Sequence, residues 1–173
     1  MTFEVGDKVV YPNQGVGTIE NISSRSFGAQ FEKFYLLRLV YNSMTVMVPF
    51  SNVGSIGLRK VTRNAEITRM LEFLSHGTCH CRGDWKSRFK ENSEKMINGD
   101  LLNVAQVLKG LLVLQLEKPL SFREKKMLER AKYLLVSEMA TSRNTSAESA
   151  ETLVVKSLAK AKLQFPVLQE KFE

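Results

Sequence analysis

The side chains best suited to binding a partner lie in residues 82–90, with the sequence RGDWKSRFK. This segment holds the only tryptophan of the 173-residue chain, followed at once by Lys86, Arg88 and Lys90. Asp84 is a common N-cap type, so Trp85 is predicted in the first turn of a helix, where the dipole and free N–H groups favour anions. An aromatic ring among cations suits a nucleic acid with an unstacked base step.

The same tryptophan also fits a purely structural role. Trp85, Phe89 and Met96 share one helix face, because they are spaced by four and seven residues. Large aromatic side chains are usually well buried in folded proteins. The spacing taken alone therefore favours a ring that packs inside the protein.

A second cluster of reactive side chains consists of His76, Cys79, His80 and Cys81. These are ligand types that zinc prefers, but structural zinc sites separate paired ligands by at least two residues and draw them from two segments. Three adjacent residues converge poorly on one tetrahedral ion. We interpret residues 76–83 as a surface loop between two helices and expect no metal and no cofactor. A zinc-dependent module is the alternative that a metal assay would test.

The sequence contains no catalytic motif that we can identify. It lacks a G-x-x-x-x-G-K-[ST] phosphate loop and a G-x-S-x-G elbow. Its carboxylates are scattered along charged helix faces, where most are expected to be solvated partners of Lys and Arg. Because no nucleophile, base and orienting group emerge together, we predict a protein that is not an enzyme and has no small-molecule substrate.

The net charge of +7 favours a polyanionic partner. Residues 61–140 carry fourteen Lys and Arg against ten Asp and Glu, whereas residues 1–60 carry six against four. The middle of the chain is therefore the better candidate for binding phosphates.

Targeting and redox signals are weak in this sequence. No basic flank with an apolar run indicates a signal peptide, and the longest apolar run, residues 110–114, is too short to span a membrane. The two cysteines are one residue apart, which does not resemble a disulfide framework. We expect a cytoplasmic protein with no membrane partner.

The elements that must position these residues fall into two parts. The first part shows five short β-rich runs separated by turn clusters such as residues 12–15, with Gly17 predicted to mark a bend or bulge. Such close spacing predicts a small SH3-like or Tudor-like barrel. From about Asn64 the apolar period changes to 3.6, which predicts a compact all-α domain of about five helices. The predicted fold is α+β, with a β domain over residues 1–61, a helical domain over residues 62–164 and a loose tail over residues 165–173.

Cap residues predict where the helices begin. Asn64, Asp84 and Asp100 are expected to cap the first three. Residues 121–124 and 145–148 match the capping box S/T-x-x-E and are expected to open the last two.

Two features of the predicted barrel suit a protein partner. Residues 45–48 are expected to form a short strand at an edge of the sheet, where unpaired N–H and C=O groups can pair with a foreign strand. Arg25, near a predicted hairpin tip, can anchor such a contact by pairing with a carboxylate. The alternative for Arg25 is a solvated surface charge.

Together these residues resemble the CarD/CdnL family of bacterial transcription regulators, from residue 3 to about residue 155. Three groups of motifs in the right order across two domains make the resemblance specific. They are VGDKVVYP at residues 5–12 with Gly15 and TVMVP at 45–49; WKSRFK at 85–90 with Glu94 and Lys95; and LSFREKKML at 120–128 with EMA at 138–140.

The resemblance implies a regulator that connects RNA polymerase to promoter DNA. It implies that the Tudor-like domain docks on the polymerase β subunit by adding strand to strand. Arg25 and the edge residues Val46, Met47 and Val48 would then lie at the contact. Met47 departs from the arginine that some members carry. A nucleoid association through polymerase follows from the same resemblance.

The resemblance also implies a role for the tryptophan segment. Trp85 would wedge into the minor groove at the upstream edge of the melted bubble, largely without regard to base sequence. Arg88, Lys90 and Lys125 would hold phosphates, with Lys86 as a further cation. We therefore expect Phe89 and Met96 to pack while Trp85 projects past the edge of the core. The alternative function is an SH3-like RNA- or ribosome-binding module with a helical appendage.

Overall fold

An antiparallel sheet forms the first part of the chain, and helices form the rest. The computed structural model describes residues 2–79 and 84–166. Its elements in chain order are β1 (Lys8–Tyr11), β2 (Gly15–Phe27), β3 (Gln30–Leu39), β4 (Thr45–Pro49), a 3-10 helix (Phe50–Asn52), α1 (Val53–Ile56), β5 (Arg59–Lys60), α2 (Asn64–His76), α3 (Trp85–Asn98), α4 (Leu101–Glu117), α5 (Phe122–Arg143) and α6 (Ala147–Lys160). The predicted α+β class is confirmed, with five helices after the sheet.

The five strands form one sheet in the order β4-β3-β2-β1-β5. All pairs are antiparallel, and the long hairpin of β2 and β3 turns at Gly28. Alternate side chains turn inward, as expected for a sheet with one covered face, and fill a core that includes Val9, Ile19, Leu37 and Val48. This arrangement fits the Tudor-like fold that the sequence predicted.

The bulge of the sheet lies three residues away from its predicted position. The register shifts between Ile19 and Asn21 rather than at Gly17, which pairs regularly with Leu39. Gly17 has a different role, because a Cβ there would lie 2.6 Å from Cδ1 of Leu37. The glycine is thus required by close packing across the sheet.

The helical part is built around α4, which packs against α2, α3 and α5. Nine residues of α4 are buried, so apolar side chains surround most of the helix. The last helix, α6, closes the domain by packing on α2 and α5. None of the described helices is both long and apolar enough to cross a bilayer.

Most of the predicted helix caps are confirmed. Asp84 and Asp100 cap α3 and α4 with their side chains, and Ser121 forms a reciprocal capping box with Glu124. Two predictions were wrong by one residue. The N-cap of α2 is Arg63 and makes no side-chain bond, and the N-cap of α6 is Ser146, whose hydroxyl accepts from the Ser149 amide.

Candidate nucleic-acid interface and edge strand

Trp85 is the first residue of α3 and follows the N-cap Asp84. The Asp84 carboxylate accepts a hydrogen bond from the Lys86 amide at 3.2 Å and another from the Ser87 hydroxyl at 3.1 Å. The cap fixes the backbone of the first turn, so the direction in which Trp85 leaves the helix is set locally. Arg82 and Gly83, which precede the cap, lie outside the described residues.

The Trp85 ring lies at the protein surface and packs with one face against another aromatic side chain. It stacks on Phe89 with ring centroids 5.8 Å apart and planes inclined by 19°. The tryptophan is 38% exposed, whereas Met96 on the same face is buried. The expected arrangement, in which Phe89 and Met96 pack while Trp85 projects, is therefore the one observed. Its contact with DNA stays a prediction.

The N-terminus of α3 is a weaker anion site than the sequence suggested. The cap carboxylate of Asp84 already accepts the Lys86 amide hydrogen and brings a negative charge to the helix end. A phosphate placed there would meet that charge at close range and be repelled. Any phosphate near Trp85 must instead be held by side chains.

Arg88 does not lie where a phosphate-binding residue should. It is only 6% exposed, and its guanidinium pairs with the equally buried carboxylate of Glu124, with Nη2 and Oε2 3.3 Å apart. The prediction that Arg88 holds a phosphate must be corrected on this ground, because the group is already paired inside the protein. Its position instead ties the start of α3 to the start of α5 and thereby positions Trp85.

The other predicted cations are accessible. Lys86, Lys90 and Lys125 are all exposed, the first two on α3 and the third in the first turn of α5. The Arg88–Glu124 pair brings these two helix starts together. The three lysines thus share one end of the helical domain with Trp85.

Sequence reasoning missed a second exposed aromatic ring at this end of the domain. Phe122, the first residue of α5, is 71% exposed, and the Lys126 ammonium lies 4.6 Å from its ring centroid. The signal was available, since Phe122 directly follows a strong N-cap serine and precedes basic residues. Its exposure depends on how α5 packs, which spacing alone does not reveal.

The C-terminal end of α2 is anchored by Lys109. This buried lysine of α4 donates to the backbone carbonyls of Phe73 and Gly77, at 2.8 and 2.6 Å. Burial lowers the pKa of the Lys109 amine. The end of α2 is thus capped by a cation from another helix.

The predicted zinc alternative falls partly outside the described residues, because His80 and Cys81 are not among them. Within residues 2–79 and 84–166, no group of three or more His, Cys, Asp or Glu side chains is arranged to hold a metal ion. Residues 167–173 of the predicted loose tail likewise lie outside the described part.

The predicted edge strand is confirmed as an edge. Among the described residues, β4 pairs only with β3, and the Leu39 amide donates to the Met44 carbonyl at 2.9 Å just before the strand begins. Hydrogen-bonded and non-bonded pairs alternate in an antiparallel ladder. Thr45 and Met47 therefore direct their N–H and C=O groups towards the open edge.

The side chains of β4 alternate between the core face and the outer face of the sheet. Val48 is fully buried in the sheet core, and Val46 packs against that core. Met47 is exposed on the outer face. Arg25 lies on β2, where it pairs in register with Glu32 and is exposed to solvent. Val46 and Val48 can thus support a docking edge, while Met47 and Arg25 can contact a partner directly.

Two family models match this chain in sequence order. The model described as CarD-like/TRCF RID domain matches residues 3–62. The model described as CarD, C-terminal domain, matches residues 69–155.

Individual proteins are also similar to this chain. The protein of Bacillus subtilis (strain 168) named "Putative transcription factor YdeB" is 35% identical over 137 residues, covering 79% of this chain and 90% of that protein. A solved structure described as CdnLNt from Myxococcus xanthus is 44% identical, covers 35% of this chain and 86% of its own, and has a TM-score of 0.31. The solution NMR structure of the 72-residue N-terminal domain of Myxococcus xanthus CarD is 41% identical, covers 34% and 79%, and has a TM-score of 0.30.

Proposed function

Because this chain belongs to the CarD family and is a CarD-like transcription factor, we propose that it binds the RNA polymerase β subunit through its sheet and stabilises the open promoter complex through Trp85. The sheet, over residues 1–61, is the polymerase-interacting domain. The helical domain, over residues 62–164, contacts DNA at the upstream fork of the bubble. The role is one of binding, with no chemical step.

The observation that carries the proposal is the supported, exposed ring of Trp85. A ring that stacks on Phe89 at 5.8 Å and remains 38% exposed presents a rigid apolar surface to solvent. The exposed Lys86, Lys90 and Lys125 add positive charge at the same end of the helical domain. This combination suits an unstacked base step flanked by phosphates, and Phe122 adds a second aromatic surface.

The energetics of a single ring are sufficient for a regulator. A base stacked on an aromatic side chain contributes roughly 1–3 kcal/mol. The ring can use this free energy only when the base step is unstacked, so it binds the open state more tightly than the closed state. A ligand shifts an equilibrium by that difference in affinity, and about 1.4 kcal/mol corresponds to a tenfold shift.

A few lysine–phosphate contacts bind weakly at physiological salt. A second contact, with polymerase, is therefore needed to hold Trp85 near the DNA. The open edge of β4 supplies a surface for strand addition, with Met47 at its centre and Arg25 on the same sheet. The match of residues 3–62 to the RID model hints at RNA polymerase as the partner. Docking there raises the effective concentration of Trp85 at the fork.

The proposal is tested by the lifetime of open complexes formed by polymerase on promoter DNA. Wild-type protein is expected to lengthen the lifetime about tenfold or more, and Trp85→Ala to abolish most of that effect. Co-purification with polymerase is expected to be equal for both proteins, because Trp85 lies on α3 and is not part of the β4 edge. An equal lifetime with both proteins would contradict the role of Trp85.

The alternative, an SH3-like RNA- or ribosome-binding module, makes a different prediction. Its binding surface would lie on the sheet, yet residues 1–60 carry only two more cations than anions. Tight binding of RNA by the protein without polymerase would favour this alternative.

A further inference from the structure

The sheet and the helical domain meet at a partly buried cluster of charged and polar groups. Arg59 of β5 reaches across to α5, where its Nη2 donates to Oε2 of Glu138 at 2.9 Å. The same guanidinium donates to the Gly99 carbonyl, from Nε at 3.0 Å and from Nη2 at 2.7 Å. One side chain of the sheet thus binds two separate points of the helical domain.

Glu138 completes the cluster from the other side. Its Oε1 accepts from the Thr62 amide at 3.0 Å and from the Thr62 hydroxyl at 2.7 Å, in addition to the Arg59 Nη1. Glu138 is only 3% exposed. The carboxylate therefore binds both the last strand of the sheet and the chain segment that leaves it.

An ion pair of this kind, in which Glu138 is buried and Arg59 is 22% exposed, contributes little net stability compared with apolar side chains of similar size, but it requires one geometry. The planar guanidinium fork must face the carboxylate and the Gly99 carbonyl at the same time. Sliding or rotating the domains would leave buried charges without partners, which is costly. The pair is therefore suited to fixing the orientation of the sheet relative to the helical domain.

Further contacts surround this cluster on the same interface. Arg130 donates from Nε to the Asn13 carbonyl at 3.1 Å, and the rings of Tyr41 and Tyr133 lie 4.7 Å apart. Both contacts join the sheet to α5.

We infer that Arg59, Thr62, Gly99 and Glu138 form a clasp that holds the sheet and the helical domain as one rigid body. The clasp fixes the position of Trp85 relative to the β4 edge. Arg59 and Glu138 are thus positioning residues, which contact neither polymerase nor DNA. This inference rests on the proposed function only for its effect on transcription, since the rigidity can be measured on the protein alone.

The direct test is ¹⁵N relaxation of the full chain. In the wild type, amides of the sheet and of the helical domain are expected to share one rotational correlation time. The variant Arg59→Met/Glu138→Met replaces the pair with apolar groups of similar length and is expected to fold. In this variant, the sheet and the helical domain are expected to have separate correlation times, each shorter than the shared value of the wild type. Arg59→Lys keeps the charge but loses the fork, and it provides the same test if the double variant does not fold.

The transcription test separates positioning from binding. The double variant is expected to bind the isolated β-subunit lobe and fork-junction DNA as the wild type does, because the β4 edge and the Trp85 turn are unchanged. The factor by which it lengthens the open-complex lifetime is expected to be about tenfold smaller, because the effective concentration of Trp85 at the fork is lower. Glu151→Gln is the matched control, since Glu151 pairs with Lys132 at 2.7 Å on the half-exposed surface of the helical domain.

The two tests distinguish failure of the clasp from failure of the proposed function. A single shared correlation time in the variant, with an unchanged open-complex lifetime, would overturn the clasp. An equal lifetime with wild type and Trp85→Ala would overturn the proposed function and leave the relaxation result to decide on the clasp.

Discussion

Arg88 and Lys90 lie two residues apart on α3 but differ completely in their access to solvent. Arg88 is buried against Glu124, whereas Lys90 is exposed. A buried cation with a buried partner contributes to the architecture of the site, while an exposed cation contributes to its electrostatic potential. Substitution of Arg88 should therefore affect mainly stability, whereas substitution of Lys90 should affect mainly DNA binding.

We predict that Arg88→Met lowers the free energy of unfolding by about 3–5 kcal/mol, because it leaves the Glu124 carboxylate buried without its cation. Lys90→Gln is the matched surface variant and should change stability by less than about 0.5 kcal/mol. In fork-DNA binding, Lys90→Gln should reduce the slope of log K against log salt by about 0.9. Denaturant unfolding and a salt titration measure these effects. Equal stability of the two variants would refute the structural role of the Arg88–Glu124 pair.

The sequence predicted the position of Trp85 but not that of Arg88. Trp85 directly follows a strong cap residue, so its first-turn location depends on local chemistry that the sequence displays. The burial of Arg88 depends on Glu124, which lies 36 residues later on another helix. A basic residue in a basic segment looks exposed until its partner is known.

At the scale of elements, β4 is a terminal strand of the sheet, and one of its sides is available for strand addition. Its ladder to β3 uses the backbone of Val46 and Val48, so the backbone of Met47 is directed to the open edge. Edge strands tolerate proline where the N–H faces solvent. A proline can therefore remove a docking hydrogen bond without breaking the sheet.

We predict that Met47→Pro weakens binding to the polymerase β-subunit lobe by roughly tenfold, the equivalent of about 1.4 kcal/mol for one lost hydrogen bond. Met47→Leu keeps the N–H and should bind like the wild type. Isothermal titration with both variants measures the difference, and circular dichroism checks the fold. Wild-type affinity for Met47→Pro would show that docking does not use this edge.

Helix starts could largely be predicted from their cap residues, and the error at the last helix has a clear cause. Ser121 satisfies both bonds of its capping box, as its spacing from Glu124 predicted. At the last helix, both Thr145 and Ser146 are good caps, and the structure uses Ser146. Where two neighbouring residues can cap, tertiary packing chooses between them, and the sequence alone does not.

At the scale of the whole molecule, the orientation of the two domains depends on contacts between distant residues. Arg59 and Glu138 are 79 residues apart, and neither belongs to a local pattern that pairs them. The carboxylates were expected to be mostly solvated, yet Glu124 and Glu138 are buried. The fold of each domain could be predicted from periodicity and caps, but their contact could not.

Gly99 provides a test of this contact that does not depend on charge. It has a φ of +59° after the end of α3, and a Cβ there would lie 2.7 Å from Cβ of Pro12 in the β1–β2 turn. Gly28, at the tip of the β2–β3 hairpin, has a similar φ of +62° but nothing within 4 Å of its Cβ position. The two glycines share the same backbone strain and differ in the domain contact.

We predict that Gly99→Ala destabilises the protein by about 1–3 kcal/mol more than Gly28→Ala, because only the first adds a clash between domains. Thermal unfolding of the two variants gives the difference. Equal destabilisation would mean that the interface between Pro12 and Gly99 is loose.

The measurement that tests the wedge most directly is the fluorescence of 2-aminopurine placed at the upstream edge of the promoter bubble. With polymerase bound and the promoter open, wild-type protein should change the probe signal, because the Trp85 ring stacks on the unstacked base step. Trp85→Ala should bind the complex and leave the signal at its level without the protein. The same change with both proteins would contradict the insertion of Trp85 at the fork.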